Sequence, residues 1–345
     1  MANNVSTVSA SLDLQVLATV CESFGLGPPT GITAIAEGLM NRNWRVDVGA
    51  VSVAVKEVLD VSADQALFQH RTTAVLAAAG LPVPAPLATA DGQTLLHLGE
   101  AVFSAVAWVD GEHFAGTQWS LAQCRQVGEL LGRIHAGLAQ ALPEGVGAIQ
   151  HRVPEGAKAK AGIDRYQALI DERPHPDDFD RFARTQLNAQ RELLESMDHL
   201  RPDDSTDLEP AGYVHGDFHA LNLLWQGGQV AAVLDWDRMG RRRAYAYELA
   251  RSVTLIFSDA TTGVVDVRRA AAFVAAYRGV ISVSDEQVLH AVRRLWWERM
   301  CDLWQLNWHY ERHDTSCDHL FISASAMLEW WSTHLELVEQ TFTIR

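Results

Sequence analysis

Apolar and polar positions alternate most strictly over Val51-Ser-Val-Ala-Val-Lys-Glu-Val-Leu59, and the β-branched residues on that period predict a strand. Upstream, Thr33-Ala-Ile-Ala-Glu-Gly-Leu39 leads through a polar turn, Met40-Asn-Arg-Asn43, into Trp44-Arg-Val-Asp-Val48, a second pair of strand-like runs. Helical spacing governs residues 10–24 and 62–79, the latter stopped by Gly80 with Pro82 and Pro84 beyond it. Further strands are expected around 86–90, 94–98 and 101–109. After Asp110-Gly111 the period lengthens. Residues 118–141 predict a long helix with Leu121, Val127, Leu130, Leu131 and Ile134 on one side, and 178–199 a second. The polar, proline-bearing stretch 143–177 carries no assigned element, and Arg201-Pro-Asp-Asp-Ser-Thr-Asp207 reads as a loop. Short strands follow at Tyr213–His215, Leu221–Trp225 and Val230–Leu234, the last two joined by a Gly227-Gly228 hairpin. From 244 to 338 the pattern is helical with little interruption. The expectation is an α+β chain, with a β-rich lobe over 1–109 on a larger, mainly helical lobe over 110–345.

Composition narrows the class. Among 345 residues, 43 acids against 28 bases leave a formal charge of −15, which argues against a nucleic-acid partner because phosphate neutralisation needs a basic face. Cys21, Cys124, Cys301 and Cys317 are scattered without a CxxC pair, as expected of free thiols in a reducing compartment. The N-terminus lacks a basic region before its apolar stretch, and no run reaches the ~20 apolar residues of a membrane helix. The expectation is a cytoplasmic protein without a membrane partner.

The candidate chemistry lies in Val214-His-Gly-Asp-Phe-His-Ala-Leu-Asn222 and Val233-Leu-Asp-Trp-Asp237. A short strand delivers His215 and Gly216, Asp217 opens a loop, Asn222 enters the next strand, and Asp235 follows the hairpin. Two carboxylates and an amide oxygen converging on one point are hard donors suited to Mg²⁺. Mg²⁺ seldom takes a full protein cage and prefers one or two carboxylates plus substrate phosphates, so the set calls for a nucleotide. One carboxylate is then spare to handle a hydroxyl proton, the division of labour in kinases.

His215-Gly-Asp-x-x-x-x-Asn222 with Leu-Asp235-Trp-Asp237 resembles the aminoglycoside phosphotransferase and choline kinase family. The resemblance extends over nearly the whole chain. Glu37-Gly-Leu-Met-Asn-Arg-Asn43 is similar to that family's phosphate-covering turn, Val53-Ala-Val-Lys56 to its nucleotide-lysine strand, and Gly80-Leu-Pro-Val-Pro84 to the break after its first-lobe helix. Trp108-Val-Asp-Gly111 resembles the connector between lobes.

The resemblance implies a bilobal, protein-kinase-like fold and a phosphotransferase acting on hydroxyls of small molecules. Asp217 would be the catalytic base, and Asn222 and Asp235 the Mg²⁺ ligands. Lys56 would neutralise the nucleotide phosphates under the turn at Gly38 and Asn41, with backbone near Ala107 and Val109 meeting adenine. His215 would brace the loop, Glu248 would act as a structural cap, and Asp237 would accept a substrate hydrogen bond or stand behind the site. Gln69 fills the register of the family's helix glutamate, where its amide oxygen would orient Lys56.

The cofactors implied are ATP or GTP with Mg²⁺, and the partner is a small hydroxylated acceptor. Trp296, Trp297, Trp304, Trp308, Trp330 and Trp331 cluster late in the chain. Trp297, Trp304 and Trp308, at heptad-like spacing, read either as core packing of the helical lobe or as an acceptor wall, and Trp297 with Glu298 and Asp302 alongside supplies the acceptor candidates, since aromatic faces stack on rings or hold cations. His309, His313 and Cys317 recur every fourth residue and read as a polar patch rather than a zinc site. An antibiotic is the first acceptor class considered. A metabolic kinase of homoserine, choline or sugar type, or a nucleotide-binding regulator without turnover, are the alternatives.

Overall fold

β1 (Gly31–Ile35), β2 (Arg42–Val48) and β3 (Val51–Glu57) form successive antiparallel hairpins, and β5 (Ala101–Ala107) and β4 (Leu96–Leu98) extend them in the order β1-β2-β3-β5-β4. The computed structural model describes residues 14–35, 41–147, 149, 152–204 and 209–343. The expected turn at Gly38 and the start of the first helix lie outside them.

Strand alternation sorts the side chains of this sheet. Trp44, Val46, Val48, Val53, Val55, Phe103 and Ala105 point to one face, where helix α1 (residues 14–23) lays Leu17, Val20 and Cys21 against them to close a small core. Lys56, one position on from Val55, therefore stands on the opposite face. Helix α2 (Ala63–Ala78) starts at Ser62, whose hydroxyl accepts the Gln65 N–H at 3.2 Å, and ends before Gly80 at φ +78°. Its Leu76, with Leu81 and Val83 beyond it, belongs to the larger core.

Two expected strands differ. Residues 86–90 contribute a single bridge, Pro86 to Val106, because proline has no N–H to continue a ladder. The chain instead turns on Thr89, whose hydroxyl binds Asp91 and the Gln93 carbonyl. β5 stops at Ala107 rather than 109, where the connector leaves the sheet.

That connector pairs Glu112 with Trp225 through both backbone bonds, 3.0 and 2.9 Å. A Cβ on Gly111 would lie 3.0 Å from the Trp225 carbonyl oxygen, so the connector meets the β7–β8 hairpin at backbone distance and only glycine fits comfortably.

The second lobe is built around α3 (Leu121–Ala141), opened by a Ser120–Gln123 capping box. Helices α4 (Gly156–Asp171) and α5 (Asp178–Ser196) pair with each other, and α6 (Tyr245–Phe257), α7 (Val267–Arg278) and α8 (Asp285–Cys301) complete the layer. A short α9 (Trp304–Leu306) runs into a π-helical turn at Asn307–Glu311, before α10 (Asp318–Thr333) and α11 (Leu335–Thr343). Helix α4 lies within the stretch that the sequence left without an element. Its buried Ala159, Ile163, Tyr166 and Ile170 keep helical spacing, but alanine weakens the apolar signal and the flanking prolines imitate a loop.

Between α5 and α6 lie β6 (Ala211–Tyr213), paired with β9 (Arg242–Ala244), and the hairpin β7 (Leu223–Gln226) and β8 (Gln229–Val233). The strand expected at 221 starts two residues later, since Ala220–Asn222 forms a 3-10 turn. Among the described residues no helix is long and apolar enough to cross a membrane.

Candidate active site

β6 ends at Tyr213 and hands the chain to the fully buried His215. Gly216 follows at φ +88°, where a Cβ would come within 2.6 Å of the Arg238 carbonyl oxygen. This conformation turns the Gly216 N–H into Glu248 Oε1, while Glu248 Oε2 accepts from the His215 N–H at 3.2 Å and lies 2.6 Å from His135 Nε2. Burial alone would raise the Glu248 carboxyl; the hydrogen bond from His135 and the neighbouring imidazoles outweigh it and hold the group below its usual value. Glu248 thus caps a loop whose backbone donors would otherwise be buried without partners.

His215 joins the two loops that carry the candidate acids. Its Nδ1 accepts the Asp217 N–H at 3.2 Å, which places the proton on Nε2 to donate to the Leu234 carbonyl at 2.9 Å. Burial keeps the ring neutral despite the surrounding carboxylates. The Leu223–Val233 register then sets Asn222 across from Leu234, whose N–H bonds the Asn222 carbonyl at 2.8 Å. Asp235 comes next, solvent-exposed and held at φ +56°, a left-handed conformation that strains a non-glycine residue. The Asn222 amide nitrogen is committed to the Asp217 carbonyl at 2.8 Å, which leaves its side-chain oxygen as the free ligand atom.

Asp217 is gripped on both oxygens. Arg251 Nη2 donates to Oδ1 at 2.6 Å, and His219 Nε2 lies 3.3 Å from Oδ2. Burial pushes its pKa up, but the His219 hydrogen bond and the Arg251 charge prevail and hold the carboxyl far below the ordinary carboxylate range. Sequence reasoning missed Arg251 and His219. The signal for Arg251 was its place one helical turn after Glu248, on the same face of α6.

On the opposite wall, Lys56 Nζ sits 3.1 and 3.0 Å from the two oxygens of Asp237. Asn41 donates to the same carboxylate at 2.6 Å, while its own Oδ1 accepts the Leu59 and Asp60 N–H groups. Gln69 Nε2 donates to the Asp237 carbonyl at 3.1 Å. This corrects two expectations. Gln69 does not orient Lys56 through its oxygen, and Asp237 faces the first lobe rather than an acceptor. The partner beside the lysine is thus an acid from the loop after β8, where the resemblance points to the helix residue Gln69. Ala107 ends β5 opposite Val53, and Val109 follows in the connector.

The acceptor side departs further. Trp297 is fully buried, with Nε1 donating to the Pro154 carbonyl at 2.8 Å, and so is core rather than wall. Glu298 binds Arg294 at 2.9 Å and the Tyr247 hydroxyl. Asp302 is exposed at the end of α8 and accepts the Trp304 N–H at 3.2 Å, while the surrounding protein raises its pKa. His309 stacks on Phe179 and bonds Asp318 at 2.9 Å.

The donor set fits a magnesium ion shared with phosphates. The uncommitted side-chain atoms of Asn222 and Asp235 are oxygens, and among the described residues no three His, Cys, Asp or Glu side chains cluster to form a self-sufficient cage.

A lysine-bearing antiparallel lobe facing a helical lobe that carries Asp217, Asn222 and Asp235 is the architecture of a protein-kinase-like phosphotransferase. The chain belongs to the phosphotransferase enzyme family, whose family model matches residues 31–281, and is a small-molecule phosphotransferase. It is 26% identical over 293 residues to the homoserine kinase of Methylobacillus glycogenes, covering 82% of this chain and 83% of that one. It is 31% identical over 183 residues to stress response kinase A of Escherichia coli K12, covering 52% and 49%. A spectinomycin phosphotransferase solved with ADP and spectinomycin shares the fold at TM-score 0.67 and 15% identity, covering 95% of this chain and 98% of that one.

Proposed function

We propose that this protein moves the γ-phosphoryl group of ATP or GTP to a hydroxyl of a small molecule, in the cleft between Lys56 and Asp217. The observation that carries the reading is the joined pair of loops, in which one neutral histidine ties Asp217 to the turn bearing Asp235 while Asn222 stands between them.

Lys56 exchanges Asp237 for the nucleotide phosphates, and the connector at Ala107 and Val109 receives the base. Asn222 and Asp235 would hold Mg²⁺, which would supply charge neutralisation to the phosphates.

Asp217 works as an aligning acceptor more than as a strong base. An efficient general base has a pKa near the working pH, and Asp217 lies far below it. Its ionised carboxylate accepts the hydrogen bond of the incoming hydroxyl and points the oxygen at phosphorus. In a loose phosphoryl-transfer transition state the proton is needed only late, so a weak base suffices. Arg251 keeps the carboxylate ionised and its rotamer fixed.

Similarity to homoserine kinases of comparable length favours a metabolic acceptor; the spectinomycin phosphotransferase keeps an antibiotic in view. Nucleotide consumption with Mg²⁺ across homoserine, choline, sugars and spectinomycin tests the reading, with phosphate addition read by mass. Asp217→Asn should lower kcat by about 10²–10⁴-fold for whichever acceptor is used while nucleotide affinity holds. Undiminished turnover in that variant would remove Asp217 from the reaction.

A further inference from the structure

Arg299 stands in the last turn of α8, and its guanidinium has neither a hydrogen bond nor an ion pair among the described residues. Its Nε is shut off from solvent and unpaired. Helices α6 and α8 pack together, and Tyr247, one turn before Arg251, bonds Glu298, the residue before Arg299, so Arg251 and Arg299 lie on the same side of that contact; burial and the like charge of Arg251, the arginine that holds Asp217, both push down the pKa of Arg299. Tyr247, Asp302 and Glu298 act in the other direction, but none of them reaches it. Glu298 is engaged by Arg294 and Tyr247, and Asp302 accepts the Trp304 N–H.

A positive charge at a helix C-terminus is ordinary, since it complements the last carbonyls. A second arginine on the facing helix with a buried donor left over is not, because a buried N–H without a partner is costly. Such a pair is stable where an anion arrives between the two. The planar fork of arginine matches a carboxylate with two parallel hydrogen bonds.

Resting on the phosphotransferase reading above, we propose that Arg299 is a specificity-determining residue. With the free edge of Arg251 it receives a carboxylate of the acceptor, so the substrate is a small hydroxylated acid. The carboxylate would dock on the α6–α8 side of the cleft, next to the hydroxyl that Asp217 aligns. Because Arg251 touches both Asp217 and this position, an acid of the right length would have its hydroxyl placed by its own anion. An acceptor without the anion would leave the arginine pair unpaired and bind poorly.

The test compares initial rates with ATP and Mg²⁺ for hydroxy acids and their carboxamides: γ-hydroxybutyrate against γ-hydroxybutyramide, and homoserine against homoserine amide. Choline and spectinomycin serve as acceptors without a carboxylate. The wild-type protein should favour an acid over its amide by about a hundredfold in kcat/KM. Arg299→Gln should erase most of that preference by raising the acceptor KM, with the nucleotide KM unchanged, and Arg299→Lys should restore part of it. The comparison of acid and amide in the wild-type protein stands whether or not a variant folds. Equal use of acid and amide, or turnover only of choline or spectinomycin, would overturn the carboxylate site and leave the phosphotransferase standing. A rise in nucleotide KM alone in Arg299→Gln would reassign the arginine to the transferred phosphate. Intact nucleotide binding without consumption on any acceptor would overturn the phosphotransferase reading, and the carboxylate site with it.

Discussion

The two sides of the cleft are built by different means. The side that would meet the phosphates is fixed by backbone: Gly216 at φ +88°, Asp235 at φ +56°, and a hairpin whose register sets Asn222 across from Leu234. The side that would meet the acceptor is fixed by side chains from helices far apart in the chain, Tyr247 and Arg251 on α6 with Glu298 and Arg299 on α8. A backbone-built site tolerates few sequences and so leaves a motif. A site assembled from helix faces can be rewritten one side chain at a time, which suits a family whose reaction is constant and whose acceptors differ. The same contrast separates two ion pairs. Asp217–Arg251 lies wholly within the helical lobe, whereas Lys56–Asp237 ties the two lobes together across the cleft.

The largest break in this contrast comes from the backbone-built side. Asp235→Ala should abolish the Mg²⁺-dependent part of nucleotide binding, whatever the acceptor. Calorimetric titration of nucleotide with and without Mg²⁺ reads this directly, and an unchanged metal-dependent increment would release Asp235 from its role as ligand.

A smaller effect, on stability more than binding, is expected behind the loop. Glu248→Gln keeps the shape but offers one accepting oxygen where two are used, by His135 and His215 on one side and Gly216 on the other. One buried donor is then left unpaired, at a cost of about 3 kcal/mol. Urea unfolding should show an earlier midpoint at similar slope. An unmoved midpoint would mean that the loop holds its geometry without the cap.

Legibility in the sequence follows the same division. Asp217, Asn222, Asp235 and Lys56 could be picked out because loop and strand geometry fix their spacing over a few residues. The bilobal α+β fold was readable for a related reason, as strict alternation gave way to helical spacing near Asp110-Gly111. Trp297 could be read as core or as wall because heptad-like spacing places a residue on a face without saying whether that face meets solvent; here it meets Pro154 and is core. Gln69 was misjudged because register alone cannot tell which end of an amide turns inward. Arg251 pairs across elements with Asp217, so only its place one turn after Glu248 could have marked it; His219 falls at an unspecified position between His215 and Asn222, and Arg299 sits in a helical run without a motif. Helix α4 was hidden by small residues that pack well but read as weakly apolar.

The smallest predicted effect probes the contact between the lobes. His70 on α2 lies beside the Lys56–Asp237 pair and bonds Thr94 Oγ1 at 2.9 Å. Burial, aided by the charge of Lys56, lowers its pKa to about 4, from the ordinary value of about 6.5. Between those two values the unfolded chain binds a proton that the folded chain refuses, so stability rises with pH across the window. The contribution of His70 is therefore complete above about pH 6.5 and is lost as the pH falls toward 4. Replacing it with Gln, which keeps a partner for Thr94 but cannot titrate, should flatten the decline of Tm over this window and leave the neutral-pH value within a few degrees. Addition of nucleotide should sharpen the comparison. If phosphates draw Lys56 away from Asp237, the nearby positive charge is offset, His70 protonates more readily, and the wild-type decline becomes shallower. An identical pH slope in the two proteins without nucleotide would show that His70 is not held neutral by its place between the lobes.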